Sequence, residues 1–327
     1  MKLEPVNIFK DGEYSHPMTF GFQPDIVPYI HEDNTVRPCV IVVPGGGYAM
    51  VSPTEGELVA DRFYKAGYQT FVFSYTTNLL SAAPLMDLPM RELTRAIRIV
   101  RSRAGEFKVE PKRVVVCGFS AGSHLCGSVC VHHDDVTDPD EVLSAISPRP
   151  DAAILSYPVI TSGEYAHQGS FQNLLGKDIF ERTDFEAARL LDYYSIEKHV
   201  TDKTPPIFLW QTITDELVPV ENSLLMARAL KEHNVPLALH LFSEGRHGLS
   251  LSDDRWCNHQ YGDEHCGRQL THLQNAARSG ALSLPEPIKD GLLNLFTQAE
   301  TEPEKSSHEV RVWPELALEW LEKTLGH

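Results

Sequence analysis

A serine between two glycines is the residue of this chain best placed to do chemistry. The stretch GFSAG (residues 118–122) fits the pattern G-x-S-x-G and lies between a short apolar run and a helical pattern. At such a strand-to-helix turn the serine Oγ stands above the sheet edge, and the helix directs its first N–H groups toward developing negative charge. This position predicts that Ser120 is a nucleophile. The simpler interpretation is a tight turn in which Ser120 only caps the helix.

A nucleophilic serine requires a general base and a carboxylate that orients the base. Asp215 follows the apolar run IFLWQ, and His247 follows the apolar run LALHLF. Because the carboxyl ends of parallel strands meet at one edge of a sheet, both side chains would lie at the same edge as Ser120. Of the 15 histidines, His247 fits the base best, since His240 lies inside a predicted strand and His124 lies one helical turn beyond the serine.

A glycine-rich stretch supplies a third element of such a site. The sequence PGGGY (residues 44–48) comes directly after the apolar run PCVIVV. Its consecutive glycines leave backbone N–H groups free to point at a substrate oxygen, and with the N–H of Ala121 they would form an oxyanion hole. A flexible glycine turn is the plainer interpretation. A phosphate-binding loop is disfavoured because the G-K-[ST] ending is absent.

Short apolar runs alternate with helical patterns along most of the chain. Such runs are typical of strands covered on both faces, and the alternation predicts a mostly parallel sheet flanked by helices. The predicted strands are Pro38–Val43, Tyr68–Tyr75, Arg113–Gly118, Ala152–Tyr157, Ile207–Gln211 and Leu237–Phe242. Residues 158–204 interrupt the alternation, and so does a helical insertion at about 252–310. We predict a single α/β domain over residues 1–327.

The composition excludes several classes of protein. The 327 residues include 29 basic and 45 acidic ones, which gives a formal net charge of −16. Such a surface repels phosphate backbones and anionic membranes, so neither nucleic acid nor a membrane is an expected partner. The N-terminal stretch has no apolar core of signal-peptide length, and we expect a cytoplasmic protein with reduced thiols. A disulfide between Cys257 and Cys266 is an alternative.

Together these stretches resemble the α/β-hydrolase esterases of the acetylxylan esterase and hormone-sensitive-lipase-like kind. The likeness covers about residues 35–255 and 311–325, including VIVVPGGGYAM, VVVCGFSAGSHL, LALHLFSEGRHGLSL and VWPELALEWLEK. The resemblance implies a catalytic triad, Ser120, Asp215 and His247, and three oxyanion donors, Gly46, Gly47 and Ala121. It also implies a short-chain acyl ester as substrate and no cofactor. Pro44 stands where many relatives have a histidine that supports the loop.

We therefore expect a serine carboxylester hydrolase that acts on short-chain acyl esters, with acetylated saccharides as the first candidates. The bulky side chains of Tyr48 and Trp210 are predicted to contact the substrate and to shorten the acyl pocket. An amide-cleaving hydrolase of the same fold, such as a peptidase or formamidase, is one alternative. A ligand-binding protein without activity is another, which the presence of His247 disfavours.

The insertion carries two further questions. Cys257, His259, His265 and Cys266 are zinc-type ligands in a short stretch, but their spacing matches no standard zinc finger, and we predict no metal site. Two amphipathic helical patterns in the insertion cannot bury both apolar stripes within the pair alone. We expect the insertion to cap the active-site rim or to form a homodimer contact. Packing on the flank of the domain is the plainer alternative.

Overall fold

Strands and helices alternate along most of the chain in the computed structural model, which describes residues 1–262, 267–295 and 302–326. Strands β1 to β8 are Val6–Asn7, Asp25–Tyr29, Arg37–Val43, Gln69–Ser74, Val109–Phe119, Ala152–Ser156, Ile207–Thr212 and Leu237–Phe242. Helices α1 to α12 are Glu57–Lys65, Leu88–Ser102, Ala104–Phe107, Ala121–His132, Glu141–Ser144, Gln168–Leu175, Phe185–Tyr193, Glu221–Glu232, Asp254–Cys257, Arg268–Ser279, Glu286–Asn294 and Trp313–Leu325.

The described strands form one sheet in the order β1-β2-β4-β3-β5-β6-β7-β8. Strands β3 to β8 pair in parallel, whereas β1 and β2 are antiparallel to their neighbours. Every predicted strand is present, and the predicted class of a mostly parallel sheet flanked by helices is confirmed. The sequence does not predict β1, which has two residues, or β2, whose sequence DIVPY contains a proline that weakens a strand pattern.

The register of the parallel strands brings their carboxyl ends to one level. Val43 pairs with Gly118, Gly118 with Leu155, and Leu155 with Leu209. The middle strands β6 and β7 are buried along their whole length, which matches their continuous apolar sequences. The loops that follow β3, β5, β7 and β8 therefore leave the sheet at the same edge.

The helices pack on this sheet through their apolar sides. α1 and α12 are neighbours, since the rings of Phe63 and Trp313 lie 6.2 Å apart. The indole of Trp313 also stacks on that of Trp210 in β7 at 5.3 Å. α2 and α4 pack against each other and against β5. Across the described residues, no helix is long and apolar enough to cross a membrane.

Two helices of the insertion pack on the main body of the domain. α10 and α11 share a small apolar cluster of Leu273, Ala277 and Leu292, and this cluster packs against Phe20 and Leu79 of the main body. Apolar side chains of both helices are thus covered within the chain, and capping of the active-site rim stays a prediction. Phe296, which belongs to the predicted apolar stripe, lies outside the described residues. The homodimer contact stays a prediction.

Polar contacts fix the first of these helices to the sheet. The Gln269 side chain accepts hydrogen bonds from Thr77 N and Oγ1 at 2.8 and 2.9 Å and donates one to Thr77 O at 2.9 Å. Arg268 forms an ion pair with the buried Asp25 of β2. A cavity of about 250 Å³ lies between α10 and Met50, which follows the glycine stretch. The insertion therefore reaches the residues that directly follow the glycine stretch.

The zinc-type residues of the insertion have other partners. His259 contacts the Tyr261 hydroxyl through Nδ1 at 2.7 Å and the Glu302 carbonyl through Nε2 at 3.0 Å. Cys257 is buried. His265 and Cys266, and with them the proposed disulfide, lie outside the described residues. Over residues 1–262, 267–295 and 302–326, no group of three or more His, Cys, Asp or Glu side chains could hold a metal ion.

Candidate active site

Three loops at the carboxyl edge of the sheet bring Ser120, His247 and Asp215 into one hydrogen-bonded line. His247 Nε2 lies 2.8 Å from Ser120 Oγ, and His247 Nδ1 lies 2.7 Å from Asp215 Oδ2. The Asp215 side chain is fully buried, while that of His247 is 13% exposed. With Nδ1–H donating to the carboxylate, Nε2 is free to accept the serine proton. The arrangement is that of a nucleophile, a base and an acid that orients the base.

Asp215, the predicted acid, is held by the loop that carries it. Asp215 Oδ1 accepts hydrogen bonds from the backbone N–H groups of Leu217 and Val218 at 3.0 and 2.9 Å. The Gln211 amide contacts Oδ2 at 3.4 Å and donates to the Val218 carbonyl at 2.6 Å. Because both carboxylate oxygens have donors, the carboxylate has one fixed pose. The imidazole that binds it is oriented accordingly.

The serine sits on a strained turn. Ser120 has φ 52° and ψ −118°, a conformation that L residues rarely adopt. A Cβ on Gly122 would lie 2.2 Å from the Val43 carbonyl oxygen, and a Cβ on Gly118 would lie 2.5 Å from the Gly122 carbonyl oxygen. Only glycine allows so close an approach of the turn to the end of β3. The two glycines of the motif therefore shape the turn that raises the serine.

The PGGGY loop is held through its carbonyl groups. Those of Pro44, Gly46, Gly47 and Tyr48 accept hydrogen bonds of 2.8 to 3.0 Å from Tyr75 Oη, Ala49 N, Asn173 Nδ2 and Asn78 N, respectively. In the part of the chain that the structure describes, no acceptor receives the N–H groups of Gly46, Gly47 or Ala121. These N–H groups are therefore available to a substrate oxygen. The carbonyl contacts also hold the loop in place where Pro44 replaces the histidine of many relatives.

Glu55 is a site residue that the sequence analysis does not identify. Its side chain is buried, and its Oε2 accepts a hydrogen bond from Gly45 N at 2.7 Å. Its Oε1 accepts one from the Tyr157 hydroxyl at 2.7 Å. In the sequence this glutamate only marks the start of a helical pattern, so nothing nearby distinguishes it from a solvated first-turn carboxylate.

His167 is the second such residue. Its Cε1 lies 4.0 Å from the position that a Cβ on Gly47 would occupy, and its Nδ1 lies 2.8 Å from Ser170 Oγ. Among the described residues, its Nε2 has no hydrogen-bond partner. Burial lowers the pKa of His167, and the nearby His247 acts in the same direction. A neutral imidazole thus stands beside the glycine loop, contributed by the region between residues 158 and 204.

The two predicted substrate-contacting aromatic residues lie in the core. Tyr48 is 1% exposed, and its hydroxyl contacts His124 Nδ1 at 2.8 Å. Trp210 is 0% exposed, and its ring lies edge-on to that of Tyr157 at 5.0 Å. Substrate contact by these two rings stays a prediction, and their burial favours the simpler interpretation that both are packing residues.

A strand-to-helix serine, an acid and a histidine after later strands of a mostly parallel sheet define an α/β hydrolase. The chain belongs to the BD-FAE family, whose model matches residues 25–230. This match confirms the resemblance to esterase-like α/β hydrolases that the motifs indicate.

Two relatives match this chain over more than two thirds of its length. The chain is 45% identical over 270 residues to endo-1,4-beta-xylanase B of Butyrivibrio fibrisolvens, covering 83% of this chain and 41% of that protein. It is 32% identical over 235 residues to an acetylxylan esterase of Xylanibacter ruminicola, covering 69% of this chain and 44% of that protein. The chain thus spans less than half the length of these two relatives.

A solved structure is similar over most of its length. The acetyl ester-xyloside bifunctional hydrolase of Caldicellulosiruptor lactoaceticus superposes with a TM-score of 0.69 at 36% sequence identity. The match covers 86% of this chain and 97% of that one. The predicted fold class therefore has support from sequence and from structure.

Proposed function

We propose that this chain is a carboxylic ester hydrolase that removes short acyl groups, acetyl above all, from carbohydrate. The observation that carries the proposal is the hydrogen-bonded line of Ser120, His247 and Asp215 beside the unoccupied N–H groups of the glycine loop. The names of the relatives, which include an acetylxylan esterase and an acetyl ester-xyloside hydrolase, support the acetyl and sugar halves of the substrate.

The mechanism follows from this geometry. Ser120 Oγ attacks the acyl carbon while His247 Nε2 takes its proton, and Asp215 stabilises the imidazolium that forms. The negative oxygen of the tetrahedral intermediate is stabilised by the N–H groups of the oxyanion hole: Gly46, Gly47 and Ala121. His247 then returns the proton to the leaving sugar oxygen. Water activated by the same imidazole hydrolyses the acyl-enzyme and frees Ser120.

An ester panel tests this proposal. Acetylated xylo-oligosaccharides, feruloyl esters and nitrophenyl esters would be compared with a matched anilide, and a fluorophosphonate probe would be applied to the wild type and to Ser120→Ala. The proposal expects ester turnover and labelling that depends on Ser120. Faster anilide than ester turnover would favour the amide-cleaving alternative, and absence of labelling and turnover would favour the ligand-binding one.

The acyl half of the substrate gives a separate prediction. We expect acetyl esters to be hydrolysed faster than octanoyl or longer esters of the same alcohol. The name of the acetylxylan esterase relative supports this preference. Because Tyr48 and Trp210 are buried, the residues that would limit the length of the acyl pocket are not identified. The measurement is kcat/KM across a nitrophenyl ester series from acetyl to decanoyl. Faster hydrolysis of the decanoyl ester would contradict it.

The alcohol half gives another prediction. His167 has a free Nε2 beside Gly47, so it can exchange a hydrogen bond with a hydroxyl of the leaving sugar. We expect His167→Ala to raise KM for an acetylated xylo-oligosaccharide about 5- to 10-fold, the worth of one hydrogen bond. Nitrophenyl acetate, whose alcohol has no such hydroxyl, should be hardly affected.

The matched control for this variant is His233→Ala, at an exposed position beyond the end of α8. It should leave both substrates at the wild-type KM. An equal loss on the sugar ester and on nitrophenyl acetate in His167→Ala would show that the imidazole supports the loop and does not contact the alcohol.

A further inference from the structure

A second carboxylate lies next to the predicted triad. Glu55, in a single 3₁₀ turn after the glycine loop, is 4% exposed. Its Oε2 binds the N–H of Gly45, directly before the predicted oxyanion donors, at 2.7 Å. Its Oε1 binds the Tyr157 hydroxyl, also at 2.7 Å. One buried side chain thus connects the loop after β3 to the loop after β6.

The hydrogen bonds indicate that Glu55 is ionised. The Tyr157 hydroxyl donates to Glu55 Oε1 at 2.7 Å, and its oxygen accepts the N–H of Ser250 at 3.2 Å. Burial, and then the nearby Glu55, raise the pKa of the Tyr157 phenol well above its ordinary value, so the phenol is a donor. Both glutamate oxygens therefore receive hydrogen bonds from donors, which suits a carboxylate. Burial raises the pKa of Glu55, and these two bonds oppose that rise.

Tyr157, which binds Glu55, also contacts His247. The Tyr157 ring lies edge-on to the His247 imidazole at 4.9 Å and 70°. Ser250, which donates to the Tyr157 oxygen, belongs to the loop that carries His247. A charge on His247 also lowers the pKa of Glu55, against the rise that burial causes. Glu55 is therefore coupled to the loop of the predicted base by packing, by a hydrogen-bond chain and by charge.

We propose that Glu55 is a positioning residue that serves both halves of the active site. Through Gly45 it fixes the oxyanion loop, and through its negative charge it favours the protonated form of His247 that arises during attack. This role rests on the proposed esterase function. It differs from the role of Asp215, which binds the imidazole directly, because Glu55 acts across the Tyr157 ring.

The surroundings identify Glu55 as the carboxylate to test. In the described part of the chain, Asp215 binds the His247 imidazole, the neutral His167 interacts with it, and Arg246 donates to the His247 carbonyl at 2.8 Å. Cys117 of β5 interacts with Glu55. Burial raises the pKa of the Cys117 thiol well above its ordinary value, so it stays uncharged. Asp215 is the direct partner, and its loss would remove the orientation of the imidazole as well as its charge. Glu55 can be neutralised without touching that bond.

The decisive variant is Glu55→Gln, which keeps the size of the side chain and removes its charge. We expect kcat/KM to fall about 10-fold or more. A negative charge near an imidazole favours its protonation, so its removal should move the acid limb of the kcat/KM–pH profile to lower pH by about half a unit to one unit. A purely structural role would lower activity or Tm and leave the limb in place, and that result would overturn the proposal.

Two further variants make the test specific. Glu55→Asp keeps the charge, so its acid limb should stay at the wild-type position even where kcat falls. Glu55→Asp also serves as the test variant if Glu55→Gln does not fold. A shift of the acid limb of its kcat/KM–pH profile, with the charge retained, would contradict the proposal. The control is Glu92→Gln in α2, a buried carboxylate that accepts two hydrogen bonds from Thr76 away from the site. Glu92→Gln should lower Tm without shifting the acid limb of the kcat/KM–pH profile.

The outcome separates this inference from the proposed function. A wild type that hydrolyses no ester in the panel and takes no fluorophosphonate label overturns the esterase assignment itself. An active wild type whose acid limb is unchanged in Glu55→Gln overturns only the role of Glu55.

Discussion

Ser120→Ala and His247→Ala should each lose at least about 10³-fold in kcat, with the fold intact. Without Oγ no acyl-enzyme can form, and without the imidazole the hydroxyl at 2.8 Å has no base. Asp215→Asn should lose less than either, because Leu217 and Val218 still bind its Oδ1 and hold the side chain in place. Steady-state kinetics on nitrophenyl acetate would give the rates, and circular dichroism would test the fold.

The matched control for these variants is His240→Gln. His240 lies half-buried in β8, where its ring stacks on Phe208 at 4.9 Å, away from the predicted triad. This variant should keep the wild-type kcat. Retention of a near wild-type rate by His247→Ala would show that the base is misassigned.

Gly46→Ala should have the second largest effect. Gly46 has φ 118°, and a Cβ there would lie 2.3 Å from the Met50 carbonyl oxygen and 2.9 Å from its carbonyl carbon. The loop must move to relieve this contact, and its N–H groups would move with it. One oxyanion donor is worth about 3 kcal/mol, so we expect a loss of about 10²-fold or more in kcat, measured with Tm as a second readout.

The neighbouring glycine offers an internal comparison. Gly47 also has a positive φ, 63°, but a Cβ there would meet only Ser170 Oγ at 3.8 Å and His167 at 4.0 Å. Gly47→Ala therefore adds backbone strain of about 1 kcal/mol without a collision. We expect a clearly smaller loss of kcat than in Gly46→Ala. Equal losses in the two variants, or no loss in Gly46→Ala, would argue against an oxyanion role for this loop.

The structural elements that the sequence predicts best are those set by residue patterns within one short stretch of the chain. Each of the strands β3 to β8 contains a short apolar run, and the runs of β3 to β7 are buried, as their sequences predict. Ser120, Asp215 and His247 each follow such a run, and the parallel topology then brings them together. The final helix, Trp313–Leu325, covers most of the stretch VWPELALEWLEK, which carries part of the family resemblance.

The parts that sequence does not predict depend on contacts between distant segments. Glu55 belongs to the site because Tyr157, 102 positions away, donates to it. The segment that carries His167 begins where Asn222 Oδ1 accepts the N–H groups of Ile160 and Thr161 at 2.9 and 3.1 Å, and no local periodicity encodes those bonds. Trp210 is a further example, since it lies close to Asp215 in sequence but its ring is buried in the core, and substrate contact by it stays a prediction.

The common register of β3, β5, β6 and β7 has a consequence for how this enzyme could diversify. Because Val43, Gly118, Leu155 and Leu209 lie side by side close to the carboxyl ends of their strands, these ends hold the predicted reacting groups whatever lies between them in sequence. The segment from 158 to 204 and the insertion after residue 252 can therefore vary in length and composition without displacing the serine. If the proposed function holds, rebuilding those two segments would select new sugar substrates, while the predicted hydrolytic step would be inherited unchanged.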